Sequence, residues 1–195
     1  MRAGIGHNQG PSMERGQKWR TFQWQKAREE AMPKAIPLMV VKMHVARAHQ
    51  LGLDYPTYAA VRKASGRDIM ALLFSSNALR VVRAENPYIP LPQSEVVSAV
   101  KGAQKLALVH RPVQADMMQM ANPVLDAAAP APRFTDSWAE MKDHIGSFIT
   151  DRRLSRDQVL IIGDTAMERD WTTAARAAGY VEAGRYFAEG PRRTG

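Results

Sequence analysis

Cysteine is absent from this chain of 195 residues. Its absence excludes disulfide bonds, thiol nucleophiles and cysteine-ligated metal sites. Long apolar runs are also missing, because a stretch such as residues 69–74 is far shorter than the roughly 18 residues that span a bilayer. Residues 1–11 are polar and glycine-rich, without the apolar core of a signal peptide. We therefore expect a cytoplasmic protein with no membrane partner.

Sequence motifs for cofactors and metals are missing as well. Neither Gly-x-Gly-x-x-Gly nor a Walker phosphate-binding loop occurs, so we expect no cofactor. His44 and His49 are five residues apart and do not share a helix face as a metal-binding pair would. Met117, Met118 and Met120 are more typical of an adaptable core or a partner-binding face than of a soft-metal site. We expect no metal ion.

The charge is distributed very unevenly along the chain. Residues 1–85 contain 14 Lys and Arg against 6 Asp and Glu, which gives +8, whereas residues 86–195 contain 13 of each kind. The composition, 45% hydrophobic and 24% charged, is that of a folded globular protein. This asymmetry predicts that residues 1–85 bind a polyanion and that residues 86–195 have another role.

The first 85 residues are expected to be mainly helical, after a flexible tail at residues 1–12. Asp54 suits an N-cap and Pro56 the first turn of the helix that follows it. Met, Ala and Leu dominate residues 68–82, which favours a helix there, although residues 70–74 could form a strand instead. The predicted helices span residues 13–31, 38–50, 54–64 and 68–82.

The second half alternates between apolar runs of strand length and helical patterns. Residues 105–110 and 159–163 read as strands, and residues 180–187 as a possible last strand. Ser94 suits the cap of a helix over residues 94–104, and the Ala/Pro segment at residues 127–132 reads as a loop. Further helices are predicted at residues 136–151 and 168–178.

This alternation predicts an α/β fold with a partly parallel sheet. The expected organisation is a helical basic region over residues 13–85 and a small α/β domain over residues 86–195.

Around Gly52 the sequence resembles the helix-turn-helix motif of bacterial repressors. The small and apolar residues that carry the resemblance are Ala48, Leu51, Gly52, Leu53, Tyr58 and Val61. The resemblance covers residues 44–66 and implies that the second helix lies in the major groove of duplex DNA. The alternative is a helical hairpin that packs in a core.

The residues at the base-facing positions of this motif are poor readers of sequence. Those positions hold Asp54, Tyr55, Pro56, Ala59, Ala60 and Lys63. Only Tyr55 and Lys63 among them can donate a side-chain hydrogen bond to a base edge. The chemistry therefore favours contacts to the phosphate backbone over base-specific recognition.

A second signal for polyanion binding lies at residues 18–28, where aromatic and cationic residues alternate. Trp19, Phe22 and Trp24 either stack on bases or pack into a helical core, and both arrangements leave the cations free. The candidate phosphate-binding residues are Lys18, Arg20, Lys26, Arg28, Lys42, Arg47, Tyr55, Arg62, Lys63 and Arg67. The expected partner is nucleic acid, DNA rather than RNA, or another polyanion.

Residues 159–180 resemble one motif of the haloacid-dehalogenase-like hydrolases, in which an apolar strand ends in Gly-Asp and an Ala-rich helix follows. The resemblance implies that Asp164 helps to hold Mg²⁺, with Glu168 as a second carboxylate. That family also needs two aspartates one residue apart, and no Asp-x-Asp occurs in this chain. The segment therefore also fits a generic strand–turn–helix unit in which Asp164 caps the helix.

An alternative function follows from the polar residues at the strand ends. His110 and Arg111 follow one predicted strand and Asp164 follows another, at the edge where open α/β sheets bind ligands. In an α/β enzyme or ligand-binding domain, His110 would be a general base oriented by Asp164, and Arg111 would hold an anion. A third alternative is an interaction protein that docks on an acidic partner. Each of these three functions is compatible with a homodimer.

Overall fold

The computed structural model describes residues 37–189, in which five parallel strands form one sheet in the order β3-β2-β1-β4-β5. The α/β fold predicted from the sequence is confirmed. The strands are β1 (Ala71–Ser75), β2 (Gln104–Val109), β3 (Ala127–Pro130), β4 (Val159–Gly163) and β5 (Gly179–Glu182). The helices are α1 (Leu38–Gln50), α2 (Tyr55–Ser65), α3 (Leu91–Ala99), α4 (Ala115–Ala121), α5 (Trp138–Asp151), α6 (Ala166–Ala175) and α7 (Ala183–Glu189). The predicted tail at residues 1–12 and the predicted helix at residues 13–31 lie outside the described residues.

Helices cover both faces of the sheet. One core contains buried residues of α1 to α4 and α7 with Phe74 of β1, and the other contains buried residues of α5 and α6 with Leu73 of β1. Because β1 and β4 are buried on both faces, they are almost continuously apolar. In the register of the sheet, Leu73 lies between Leu106 of β2 and Ile161 of β4. This arrangement is a doubly wound α/β sheet.

The predicted helix ends of the first part are confirmed where capping residues mark them. The Asp54 side chain accepts a hydrogen bond from the Thr57 N–H at 3.4 Å and caps α2. Gly66 ends α2 in the left-handed region, at φ +70°, where glycine has no Cβ penalty. In the turn between α1 and α2, Gly52 has φ +71°.

The predicted helix at residues 68–82 is wrong, because these residues form the central strand β1 and the turn after it. Ala, Leu and Phe lack the β-branched side chains that mark a strand, but burial on both faces overrides local propensity. Since β1 pairs with β2 and β4, the sheet includes residues from both sides of position 85. The predicted division near residue 85 therefore does not separate a helical part from the α/β part.

Three further predictions of local structure are corrected. The Ala/Pro segment predicted as a loop is the edge strand β3, where Pro130 is tolerated at the end of the strand. Helix α3 begins at Leu91, so Ser94 lies inside the helix and does not cap it, and Gln104 begins β2. The predicted strand at residues 180–187 is β5 followed directly by α7.

Candidate functional site

The candidate site lies at the carboxyl edge of the sheet, between β1 and β4. The connections after β1 run through α3 on one face, whereas the connection after β4 runs through α6 on the other face. Open α/β sheets bind ligands where neighbouring strands diverge to opposite faces in this way. The polar residues that meet there are Asn77, Arg80, His110, Asp164 and Glu168, which we call the Glu168 cluster.

Glu168 lies at the centre of this cluster and is completely buried. Glu168 and Thr165 form a capping box at the start of α6. The Thr165 hydroxyl accepts a hydrogen bond from the Glu168 N–H, and Glu168 Oε2 accepts one from the Thr165 N–H at 3.0 Å. Oε2 also accepts from the Asp164 N–H at 2.6 Å. Oε1 accepts from Asn77 Nδ2 at 2.8 Å and lies 2.9 Å from His110 Nε2. Both carboxylate oxygens are thus occupied by donors.

The surroundings of Glu168 favour its charged form. Burial alone would raise the pKa of this carboxyl, but hydrogen bonds from His110, the Asp164 N–H and Ser75 outweigh burial. The net effect lowers the pKa of Glu168 below its ordinary value of 4.5. Glu168 is therefore ionised at neutral pH although no part of it reaches solvent.

His110 follows β2 and is held by Glu168 on one side and by Trp171 on another. Its ring stacks on the buried Trp171 of α6, with ring centroids 5.4 Å apart and an interplanar angle of 26°. Because an ionised carboxylate can only accept, Nε2 of His110 carries the proton of their hydrogen bond. Among residues 37–189 no hydrogen-bond partner is found for Nδ1. When its ring carries only the Nε2 proton, His110 therefore presents Nδ1 as a proton acceptor that has no partner among the described residues.

Gly163, the last residue of β4, lets Glu168 reach this position. A Cβ at residue 163 would lie 2.9 Å from Glu168 Cβ and 2.9 Å from Tyr180 Cε2. Both distances are shorter than van der Waals contact, so a larger residue would push the buried carboxylate away from its donors.

Arg80 and Asp164 close the rim of the cluster. Arg80 Nη1 donates to Asp164 Oδ2 at 2.8 Å, and the two side chains are 54% and 26% exposed. Arg80 lies in the turn after β1 with φ +60°, a backbone region that non-glycine residues rarely adopt. This turn and the β4–α6 turn are thereby joined across the point where the two strands diverge.

The sequence-predicted residues of the alternative site are only partly brought together. His110 and Asp164 both contact Glu168, but the carboxylate that orients His110 is Glu168 and not Asp164. Asp164 instead pairs with Arg80, and the cap of α6 is Thr165, which corrects the predicted role of Asp164 as a cap. Arg111 is exposed beside His110.

The ligand roles that the hydrolase resemblance implies do not fit this geometry. A magnesium site needs free carboxylate oxygens, and both oxygens of Glu168 accept hydrogen bonds from N–H groups. The Asp164 carboxylate is paired with a guanidinium. Within residues 37–189 no group of three His, Asp or Glu side chains is arranged to hold a metal ion.

Sequence reasoning missed Asn77 and Arg80 and gave Glu168 only a metal-binding role. The role of Glu168 as a capping-box residue is visible in the spacing Thr165-x-x-Glu168. No local signal identifies Asn77 or Arg80, because their partners are 91 and 84 residues away.

The predicted phosphate-binding residues fall into three groups. Lys18, Arg20, Lys26 and Arg28 lie outside the described residues. Lys42 and Lys63 are exposed, and Tyr55 is partly buried at the start of α2. Arg47, Arg62 and Arg67 are engaged within the protein.

Arg47 is the most strongly engaged of these three arginines. It pairs with Asp68 at 3.0 Å and donates to the backbone carbonyls of Ile69, Lys101 and Gly102 at the amino edge of the sheet. Asp68 also accepts from Tyr58 and lies 3.8 Å from Arg62. We call Arg47, Tyr58, Arg62 and Asp68 the Arg47 cluster. Arg67 forms a separate pair with Asp157 at 2.9 Å.

Helices α1 and α2 form a hairpin in which α1 buries Ala48 and α2 buries Tyr58 and Val61, whereas Leu38, Met39, Met43 and Val45 of α1 are exposed. Ala48, Leu51, Leu53, Tyr58 and Val61, which carry the helix-turn-helix resemblance, are all buried. At the start of α2, Asp54 pairs with Arg185 of α7 at 3.3 Å. The burial of these residues suits both a DNA-binding motif and a hairpin that only covers the sheet.

Comparison of the chain with protein-family models, with curated proteins and with solved structures finds no match. The fold and the Glu168 cluster define the class, a doubly wound α/β domain with a polar site where two central strands diverge. In the part of the chain that the structure describes, no helix is long and apolar enough to cross a membrane.

Proposed function

We propose that the Glu168 cluster is the binding site for a small polar ligand, with which His110 exchanges a proton. The observation that carries this proposal is a buried carboxylate that holds one ring nitrogen of His110, while the other ring nitrogen has no partner within residues 37–189. A carboxylate that fixes the tautomer and orientation of a histidine is a recurrent arrangement in proton transfer. The position between β1 and β4 supports the same proposal.

The roles of the residues follow from their contacts. His110 Nδ1 accepts a proton from the ligand, and Glu168 stabilises the imidazolium that results. Asn77 and the Asp164 N–H hold Glu168 in place and act as positioning groups. Trp171 covers one face of the imidazole and limits its rotation.

A calorimetric experiment on the full chain tests the proton exchange. Ligands are first found by mapping backbone amide shifts with a library of small polar compounds, and we expect the shifted residues to surround His110. Binding is then measured in buffers of different ionisation enthalpy. The wild type should show a heat that depends on the buffer, whereas His110→Gln should lose this dependence. His144→Gln is the matched control, because His144 is an exposed histidine bonded only to the Pro130 carbonyl among the described residues.

Two results would refute the proposal. Compounds that bind only at sites remote from His110 would show that the strand ends are not a ligand site. Binding at His110 with a buffer-independent heat in the wild type would show that no proton is exchanged.

Nucleic-acid binding through the basic first part is a second candidate function. Its supporting observation is the charge of residues 1–85, which carry the whole excess of +8. Because Arg47, Arg62 and Arg67 pair with Asp68 and Asp157, the exposed candidate cations within the described residues are Lys42 and Lys63. The sequence adds the cations of residues 18–28, which lie outside the described residues. Contacts of this kind are electrostatic and largely independent of sequence.

A salt titration of duplex DNA binding by the full chain tests this candidate. Affinity should fall steeply with salt, and changing Lys18, Arg20, Lys26 and Arg28 together to Gln should reduce both the affinity and the salt slope. Arg62→Gln should have a smaller effect, since its guanidinium is engaged with Asp68 and Tyr58. No binding at low salt would exclude the candidate.

A further inference from the structure

The conformation of Arg80 shows that its side chain has a defined place at the rim of the candidate site. The turn after β1 is fixed by backbone hydrogen bonds from Leu79 N–H to Ser75 and from Arg80 N–H to Asn77, at 3.1 and 3.0 Å. Within this turn Arg80 adopts φ +60°, a conformation that favours glycine. An arginine held in such a turn beside a candidate site suggests a use for its guanidinium.

The partner of Arg80 is one that a ligand can replace. Its ion pair with Asp164 reaches solvent, with the Arg80 side chain 54% and the Asp164 side chain 26% exposed, and ion pairs in contact with solvent contribute less to stability than buried ones. The carboxylate of Asp164 accepts a hydrogen bond from the Arg80 guanidinium, as the oxyanion of a ligand would. Exchange of Asp164 for a ligand anion therefore leaves Arg80 paired throughout.

The other charges near the rim suit an anion as well. Glu168 is completely buried and its two oxygens accept from four N–H donors, so neither oxygen meets a ligand at the surface. Arg111 is exposed next to His110 and has no ion-pair partner among residues 37–189. A guanidinium binds carboxylate and phosphoryl groups through two parallel hydrogen bonds.

We infer that the ligand of this site carries an oxyanion, a carboxylate or a phosphoryl group, which Arg80 binds in exchange for Asp164. The inference rests on the proposed ligand site and adds the chemical class of its ligand. Asp164 is then a built-in competitor that keeps Arg80 positioned in the empty site and lowers its affinity for anions.

The test is a titration of the full chain with pyrophosphate and, separately, with citrate, at low salt. The side-chain Nε–Hε signal of Arg80 and the ring nitrogens of His110 are followed by NMR. Asp164→Asn should tighten binding by about fivefold, because it removes a competing exposed ion pair. Arg80→Gln should weaken binding by about tenfold or more, the loss expected for a charge-assisted bidentate contact. A preference for one of the two probes distinguishes phosphoryl from carboxylate recognition.

Matched controls separate this exchange from general charge effects. Arg176 is an exposed arginine at φ +54°, the same backbone region as Arg80, and Asp116 is an exposed aspartate on α4. Arg176→Gln and Asp116→Asn should leave the affinities unchanged. Thermal unfolding of each variant shows that it is folded, and Arg80→Gln tests the inference even if Asp164→Asn is unstable.

Several outcomes would overturn the inference. These are unchanged or weaker binding by Asp164→Asn, equal losses for Arg80→Gln and Arg176→Gln, and binding of neither anion. If neutral polar compounds shift the signals of His110 while neither anion does so, the inference of an oxyanion ligand is refuted, but the proposed ligand site is not. If no compound of any class shifts them, both are refuted.

Discussion

The two edges of the sheet each carry a charged cluster, and the two clusters use their hydrogen-bonding groups differently. At the amino edge, Arg47 donates to three backbone carbonyls and to Asp68, so its donors are directed into the protein. At the carboxyl edge the buried Glu168 is equally saturated, but its partner His110 keeps one ring nitrogen unpaired among the described residues. Arg47, whose hydrogen-bond donors are all paired within the protein, fits a structural role. Glu168 is also fully paired, but it positions a histidine with a ring nitrogen unpaired in the described part of the chain, and this is the arrangement for which we propose a function.

The largest effect is expected from Glu168→Gln. In the wild type, N–H donors surround both oxygens of the Glu168 carboxylate. The glutamine side chain replaces one of these oxygens by an NH2 group, which would face N–H donors in a site without solvent. We expect the free energy of unfolding, measured by urea denaturation, to fall by about 3 kcal/mol, because hydrogen bonds to a charged group are lost and buried N–H donors are left without an acceptor. Glu95→Gln, at an exposed position on α3, should change it by less than about 0.5 kcal/mol. Equal effects of the two substitutions would contradict a buried, charged Glu168.

Arg47→Met tests the opposite edge. It removes the hydrogen bonds to Ile69, Lys101 and Gly102 and the pair with Asp68, and we expect a loss of about 2–3 kcal/mol of unfolding free energy. Arg67→Met removes only an exposed ion pair and should cost less than about 1 kcal/mol. The ring signals of His110 should be the same in both variants as in the wild type. A change in His110 on replacing Arg47 would mean that the two clusters are not independent.

Acid should remove the contribution of Glu168. Because folding lowers the pKa of this carboxyl, its stabilisation is complete above its ordinary value of 4.5 and is lost as pH falls through the lower pKa of the folded state. The difference in unfolding free energy between the wild type and Glu168→Gln should therefore narrow as pH is lowered below 4.5. A gap that widens with acid would show that the folded state favours the protonated form of Glu168.

The sequence predicted the fold class and several elements, since these depend on local patterns. Strand β4 agrees with the prediction residue for residue, and α2 agrees at its cap and within one residue at its end, because an apolar run and capping residues mark their limits. The sequence favours a helix over the alternative strand at residues 70–74 because Met, Ala and Leu are good helix residues, and only the central place of β1 in the sheet decides between the two.

The candidate site was predicted in part for the same reason. His110 and Asp164 are the residues that directly follow two strands, so strand prediction alone finds them. Arg80 lies within residues 68–82, where the sequence favours a helix over a strand, and its contact with Asp164 spans 84 residues. A contact between such distant positions depends on the order of strands in the sheet, which no local pattern encodes.

The smallest expected effect comes from relieving backbone strain at two arginines with positive φ, one at the end of α6 and one at the rim of the site. Arg176→Gly replaces an arginine at φ +54° by a residue that prefers this region, and we expect a gain of about 0.5–1 kcal/mol in unfolding free energy. Arg80→Gly relieves the same strain at φ +60° but loses the ion pair with Asp164, so its gain should be smaller by up to about 1 kcal/mol. Thermal unfolding measures both. A larger gain at residue 80 than at residue 176 would show that the ion pair does not stabilise the protein.

The most direct test of a functional carboxyl edge is the protonation state of His110, measured by long-range correlation of its ring protons with its ring nitrogens. We predict a proton on Nε2, held by Glu168, and an unprotonated Nδ1 whose shift changes when a ligand binds, while the shifts of His49 and His144 stay unchanged. A neutral ring with its proton on Nδ1, or an Nδ1 that responds to no compound, would contradict this prediction.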